Sequence, residues 1–213
     1  AYADRYDSDY APVLGGGPVL KVNAMYRYAT TASSAAAFAA ACEAAGVSLF
    51  ALQIAKALGC TIIATTSSAA KAERLSAMGA DHVINYKATP KWGAVARDLT
   101  HGVGVDHIVE VGGAGTLNQS LKAIRIGGTI AVIGVLSGAE TTLSVPHMLM
   151  QHVRLQGITV GSREHHEQFV RFIDGTGLAP IIDKEFAFDG LPDALNHMIG
   201  RRHMGKIVVT IGN

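Results

Sequence analysis

The sequence predicts an α/β protein built on a doubly wound parallel sheet. Three observations predict it. From about residue 46 onward, short β-branched runs alternate with amphipathic helical patterns at the spacing of βαβ units. The most apolar run, TIAVIGV over 129–135, is continuous rather than alternating, as a parallel strand buried on both faces requires. Glycines stand where these runs end, at Gly59, Gly79, Gly112-Gly113 and Gly127-Gly128.

The elements follow in order. Residues 46–58 place Val47, Phe50, Ala51, Ile54 and Leu58 on one helical stripe, and Gly59 stops it. TIIAT over 61–65 is a strand, and 69–78 a helix closed by Gly79. His82–Asn85 is a third short strand. Residues 90–100 form a polar helix whose Trp92 is expected at the surface or half-buried. DHIVEV over 106–111 is a strand, 115–125 a helix, and 129–135 the apolar strand. A strand over 153–160, a helix over 163–174, a strand over 184–188, a helix over 190–199 and a strand over 206–211 complete the pattern. Right-handed crossovers then give one parallel sheet.

The first 45 residues depart from this plan. Residues 1–28 are turn-rich and carry Gly15-Gly16-Gly17-Pro18 before a strand-like run from Val19 to Tyr28. Eight of the eleven residues from 35 to 45 are alanine, which reads as a helix with Ser33 or Ser34 as N-cap. Either the tract is genuine, or alanine stands there for side chains not assigned. A strand over 36–42 beside 61–65 would instead preserve a first sheet strand.

Composition excludes several classes. Hydrophobic residues make up 49% and charged residues 16%, which is incompatible with disorder. Lys+Arg minus Asp+Glu is 18 − 17 = +1, so neither nucleic acid nor an anionic membrane is an expected partner. The alanine-rich stretch Ser33 to Ala55 contains Glu43, Ser48 and Gln53, which oppose membrane insertion. The start, AYADRYDSDY, carries three Asp and no apolar run, so no signal peptide is expected. Cys42 and Cys60 are too few for a disulfide scaffold. Free, reduced cysteines suit a cytoplasmic protein.

A doubly wound sheet binds ligands outside the C-terminal ends of its strands. Three loops there have suitable chemistry. Ala44–Ser48 opens a helix whose free N–H groups suit a pyrophosphate, though it lacks the G-x-G-x-x-G spacing, and an ordinary helix start reads equally well. Thr65-Thr66-Ser67-Ser68, with Lys71 a turn later, offers hydroxyls and a cation where an acid would bind a ribose 2′-hydroxyl. That favours a 2′-phosphate, against plain capping by Ser67 or Ser68. Val111-Gly112-Gly113 and Ile133-Gly134-Val135 are paired strand ends whose glycines would let a flat ring lie on the backbone, against simple turn glycines.

GVSLFALQIAKALG, MGADHVINY, GVDHIVEVGGAGTL, GGTIAVIGVLSG, LQGITVGSRE and GKIVV occur in this order over 46–213. In these strings the chain resembles the medium-chain dehydrogenase/reductase superfamily, in its zinc-type alcohol dehydrogenase-like and quinone oxidoreductase-like branch. YAPVLGGGPVLKVNAMYRY over 10–28 resembles a fragment of that family's catalytic domain. The resemblance implies a Rossmann-type dinucleotide-binding domain over 33–180. It implies a remnant of a GroES-like catalytic domain over 1–32, and a segment over 181–213 returning to that domain. It also implies hydride transfer between NAD(P)H and an alcohol, aldehyde, ketone or quinone-type substrate.

Carried over, Gly46 and Val47 would meet the pyrophosphate. Thr66, Ser67, Ser68 and Lys71 would surround a 2′-phosphate, so NADP(H) is favoured over NAD(H). Tyr86, Val111 and Gly112 would line the adenosine side. Ile133, Gly134 and Val135 would flank the nicotinamide ribose, and Gly161-Ser162-Arg163 would sit near the reactive end. Glu43 and Ala45 stand where the family's turn has glycines, and a carboxylate there repels a pyrophosphate. The family's zinc ligands fall mostly in the missing region, and His147, His152, His165 and His166 lack tetrahedral spacing, so no zinc is expected.

Catalytic residues are not assigned, with Tyr26, Tyr28 and Ser162 the weak candidates. The alternative function is a non-catalytic dinucleotide-binding protein derived from such an enzyme, with a site for another adenosine ligand as a third reading. A homodimer is expected, since the strand over 153–161 resembles the family's last strand, which pairs across a two-fold axis.

Overall fold

A computed structural model describes residues 37–41, 47–200 and 203–212. Ala37–Ala41 forms strand β1, Val47–Ala57 helix α1 and Thr61–Thr66 strand β2. Ala69–Ala77 forms α2, His82–Asn85 β3, Trp92–Leu99 α3 and Val105–Glu110 β4. Leu117–Ala123 forms α4, Ile124–Val132 β5, Val145–Gln151 α5 and Arg154–Gly157 β6. Arg163–Thr176 forms α6, Ile182–Ala187 β7, Leu191–Ile199 α7 and Lys206–Thr210 β8.

Six strands make one parallel sheet in the order β3-β2-β1-β4-β5-β6. This is the doubly wound topology the alternation predicts. The expected helix over the alanine tract is not formed at residues 37–41. They are a strand that pairs with β2 from Ala37↔Thr61 to Ala41↔Thr65, and with β4 from Phe38↔His107 to Ala40↔Val109. Alanine's helix propensity is worth only tenths of a kcal/mol per residue, and two ladders of backbone hydrogen bonds outweigh it. Residues 1–36 lie outside the described residues, so the reading of 1–32 has no structural counterpart here.

Two cores lie on the two faces of this sheet. One gathers Leu52, Ala55, Ile62, Leu75, Val109 and Met204. The other gathers Ile63, Trp92, Ala96, Ile108, Leu121, Ile124 and Ile130. Ile62 and Ile63 are adjacent in sequence and enter opposite cores, as period-two alternation in a strand buried on both faces demands. Trp92 is only 3% exposed, not at the surface or half-buried as expected. It opens α3 and joins the core with Ile84 of β3, Leu121 of α4 and Ile124 and Ile130 of β5. Cys60 is free and buried, and burial, reinforced by Asp106, pushes its thiol pKa up.

Other boundaries shift for physical reasons. Gly127-Gly128 does not end the helix, since α4 stops at Ala123. Between the pairs Val105↔Ile124 and His107↔Thr129, β4 advances two residues and β5 five, so the glycines lie in a bulge. The short helix α5, which the sequence reading passes over, is capped by Ser144 with Pro146 in its first turn. The two last strands do not join the large sheet. β7 and β8 pair in parallel with each other, from Ile182↔Lys206 to Ala187↔Thr210. No helix among the described residues is long and apolar enough to cross a membrane.

His107, on β4, has its pKa lowered mainly by burial, with Arg125 and Arg154 adding to the effect and Asp106 opposing it. The folded state therefore favours the neutral ring. Its contribution to stability is intact above the ordinary value of 6.5 and is lost as pH falls below it. Urea unfolding at about pH 7.5 and about pH 5.5 should show this loss, with a smaller one in His107→Gln. An equal loss in the variant would contradict the assignment.

Candidate functional site

Because β1 to β6 are parallel, their C-terminal ends lie along one edge. The register places Thr66 beside Asn85, Glu110 beside Val132, and Val132 beside Gly157. The strand order reverses between β1 and β4, and the chain leaves these two strands in opposite directions. A crevice at that reversal is where open α/β sheets take ligands. Helices α1 and α2 start at this edge, and neither has an acidic residue in its first turn. Their free N–H groups and partial positive charge are thus unopposed by a carboxylate of their own, which suits an anion. Val47 is the first residue of α1. Gly46, Glu43 and Ala45 lie outside the described residues.

At the end of β2, the hydroxyls are partly committed to the protein itself. Thr66 is buried, and its Oγ1 accepts the Ser68 N–H at 3.4 Å. Ser68 Oγ accepts the Lys71 N–H at 3.5 Å as the N-cap of α2. The capping alternative therefore holds for Ser68. Ser67 remains partly exposed. Tyr86 follows β3, and its N–H donates to the Thr66 carbonyl at 3.0 Å. Thr66, Ser68, Lys71 and Tyr86 are thus joined by hydrogen bonds around the end of β2, with Ser67 beside them in the chain. Lys71 also acts electrostatically on His203, where burial is the larger cause of a lowered pKa.

The two glycine-bearing strand ends are stacked on each other. The Leu136 N–H donates to the Val111 carbonyl at 3.3 Å, and the Ser137 N–H and hydroxyl both donate to the Gly112 carbonyl at 2.7 Å. The Ala114 N–H donates to the Gly138 carbonyl at 3.0 Å. A Cβ on Gly134 would lie 2.4 Å from the Val111 carbonyl oxygen, and one on Gly112 would lie 2.2 Å from Thr116 Oγ1. Gly134 therefore permits close approach of its loop to Val111, and Gly112 close approach to the Thr116 side chain. Val111, Gly112 and Gly113 are buried, whereas Ile133 and Gly134 are partly exposed and Val135 is 60% exposed. The second loop is the part of this pair that faces solvent.

Ser162 is used as a helix cap. Its hydroxyl accepts the His165 N–H at 3.2 Å, and its own N–H donates to His165 Nδ1 at 3.2 Å. The imidazole therefore carries its proton on Nε2 when neutral. Gly161, Ser162, His165, His166 and Phe169 line a shallow recess. Tyr26 and Tyr28 lie outside the described residues. Among the described residues, no three His, Cys, Asp or Glu side chains gather where they could hold a metal ion.

The sequence reading misses one residue of this edge. Glu110, the last residue of β4, is fully buried, and its carboxyl accepts hydrogen bonds from the N–H groups of Gly112 and Gly113 and the hydroxyls of Thr116 and Ser120. An acid directly after the apolar pair Ile108-Val109, followed by two glycines and then by Thr and Ser, is the signal that was available.

With this geometry in hand, the comparisons are specific. The family model described as zinc-binding dehydrogenase matches residues 46–175. A zinc-type alcohol dehydrogenase-like protein of Schizosaccharomyces pombe is 39% identical over 170 residues, covering 78% of this chain and 49% of that protein. Prostaglandin reductase-3 of Bos taurus is 30% identical over 194 residues, covering 79% of this chain and 50% of that protein. A crystal structure of an NAD-dependent alcohol dehydrogenase superposes with a TM-score of 0.77 at 31% identity, over 92% of this chain and 57% of that one.

The chain belongs to the zinc-binding dehydrogenase family, within the medium-chain dehydrogenase/reductase superfamily. It spans about half the length of the curated relatives it matches. A second model, of the aminopeptidase I zinc metalloprotease (M18) family, matches residues 1–79. An M18 family relative from Streptomyces avermitilis is 59% identical over 46 residues, which is 22% of this chain and 11% of that protein.

The loop stacking is testable. Gly134→Ala forces a methyl against the Val111 carbonyl and should lower unfolding free energy by about 1–3 kcal/mol. Unchanged denaturant stability would contradict the contact.

Proposed function

We propose that the chain holds NADP(H), in preference to NAD(H), along the C-terminal edge of its sheet. It would serve as the cofactor-binding part of an oxidoreductase acting on a small alcohol, aldehyde, ketone or quinone-type substrate, without zinc. The observation that carries this reading is the edge itself: a reversal of strand order flanked by two helix N-termini free of acidic residues. The NAD-dependent neighbour supports the nicotinamide class. The preference for a 2′-phosphate rests on Ser67, Lys71 and the lack of an acid in Thr65–Ser68.

The bound cofactor supplies or accepts the hydride. The chain's residues bind and orient it. The start of α1, with Gly46 and Val47, faces the pyrophosphate. Ser67 and Lys71 face the 2′-phosphate. Tyr86 and the Val111-Gly112 loop back the adenosine side, Thr66 and Ser68 shape the turn, and Ile133, Gly134 and Val135 flank the nicotinamide ribose. Ser162 stands toward the reactive end. The free, buried Cys60 is consistent with a cytoplasmic location.

The M18 likeness within 1–79 supports a separate origin for the N-terminal part of the chain, in place of a remnant of the dehydrogenase's own catalytic domain. It also supports the alanine tract, which lies within 1–79, as genuine sequence. A changeover near Gly46, where the dehydrogenase match begins, explains why Glu43 and Ala45 replace turn glycines.

Fluorescence titration with NADPH and NADH tests the site, and absorbance with a panel of aldehydes and quinones tests turnover. NADPH should bind more tightly. Lys71→Ala should weaken NADPH about tenfold and leave NADH nearly unchanged, the size expected for one charge-assisted hydrogen bond. Equal weakening of both would remove the phosphate preference, and binding of neither would sink the site. Binding without turnover would support the alternative.

A homodimer through β6 is part of the same proposal. Among the described residues β6 pairs in the sheet only with β5, and Leu149, Met150 and Val160 nearby are largely exposed. Sedimentation at micromolar concentration should give a dimer, and a stable monomer would refute it.

A further inference from the structure

We infer that Glu110 is the positioning residue of the cofactor edge, holding in place the loop that meets the nicotinamide ribose; this rests on the reading of that edge as an NAD(P) site. Glu110 is fully buried at the C-terminal end of β4, directly after the core residues Ile108 and Val109, where Ile or Val would satisfy the core equally well. A buried carboxyl is costly unless its acceptor sites are filled. Here they are. Oε1 accepts the Gly112 N–H at 2.8 Å, the Gly113 N–H at 3.1 Å and the Thr116 hydroxyl at 2.6 Å. Oε2 accepts the Ser120 hydroxyl. All four donors are neutral, so the arrangement works by acceptor geometry and not by pairing with a cation.

The same residue holds the second loop with its main chain. The Glu110 carbonyl accepts the Ile133 N–H at 2.8 Å and the Gly134 N–H at 3.2 Å. Its side chain thus fixes the first loop, its backbone fixes the second, and the stacking of Gly112 under Ser137 and of Val111 under Leu136 joins the two. One consequence concerns the anion. The N–H groups of Gly112 and Gly113 point inward to Glu110 and are not offered to a ligand. The solvent-facing Ile133-Gly134-Val135 segment takes its position from Glu110 without Glu110 touching the ligand. A displacement of about 1 Å at such a segment can cost up to about 100-fold in rate or binding.

The experiment compares full-length Glu110→Gln, Glu110→Leu and Thr116→Val with the wild type, reading NADPH dissociation constant and amide hydrogen exchange. Gln keeps the oxygen that takes three donors, and the Ser120 hydroxyl can rotate to accept from its amide. Glu110→Gln should therefore stay within about threefold of wild type. Glu110→Leu strands four donors and should weaken NADPH at least about tenfold. Thr116→Val, which removes one donor and keeps the shape, should weaken it about threefold and serves if the Leu variant does not fold. The amides of Gly112 and Gly113 should exchange faster in the Leu and Val variants, with those of β8 unchanged.

A purely structural role would lower stability and leave the dissociation constant of the folded protein unmoved, and that result overturns the inference. So does a Gln variant as weak as the Leu variant. A wild type that binds neither cofactor defeats the reading of the site and, with it, the cofactor role of Glu110. In that event the exchange rates still decide whether Glu110 clamps the loops, and unchanged rates overturn that too.

Discussion

The architecture depends on one strand. β1 lies at the centre of the sheet, between β2 and β4, and its residues are Ala-Phe-Ala-Ala-Ala. Without it the two halves of the sheet have no common ladder, and the crevice at the reversal of strand order does not exist. The backbone of this strand is paired along both edges. It is held by hydrogen bonds on both edges and by the strands beside it, whose Ile62, Ile63, Ile108 and Val109 carry the cores on both faces. A parallel strand with partners on both sides leaves no backbone group unpaired, and that is enough to overcome a sequence inclined toward helix.

The edge where the strands end follows from the same parallel arrangement. Six C-terminal ends together bring six loops together, and each loop must resolve its own polar backbone groups. At β2 this is done by a threonine and a serine folded back on the turn, with Ser67 left over. At β4 and β5 it is done by Glu110 and by the stacking of two glycine-bearing loops. The groups most engaged in holding the loops are the buried ones. The groups that face solvent are held in position by them. A division of this kind between shaping residues and presented residues is what a site with a fixed geometry requires.

Legibility in the sequence follows local physics. The βαβ alternation, α1, α2, β3, α6 and α7 are readable because apolar spacing and capping residues carry the signal within a few positions. Trp92 is misread because Lys91, Arg97, Asp98 and Thr100 make residues 90–100 look solvated, and only the core it shares with Ile84, Leu121 and Ile124 shows that it points inward. Gly112 and Gly134 are recognised as important for the wrong reason. Gly134 meets Val111, some twenty residues away, and Gly112 meets the Thr116 side chain across a turn, and no local pattern reports either contact. Glu110 is overlooked because its partners lie two to ten residues further on, across a turn whose path must be known first.

The sequence by itself determined the class of fold, the family of its last 170 or so residues and the location of the loops that carry chemistry. Periodicity and motif are local properties, and they survive whatever the rest of the chain does. Only the tertiary structure decided that the alanine tract enters the sheet as its central strand. Only it decided that β7 and β8 form a small sheet of their own, and that a buried acid anchors both glycine loops. Each of these is settled by pairing between residues far apart in the chain, where ladder hydrogen bonds and the filling of buried acceptors outweigh preferences of tenths of a kcal/mol per residue.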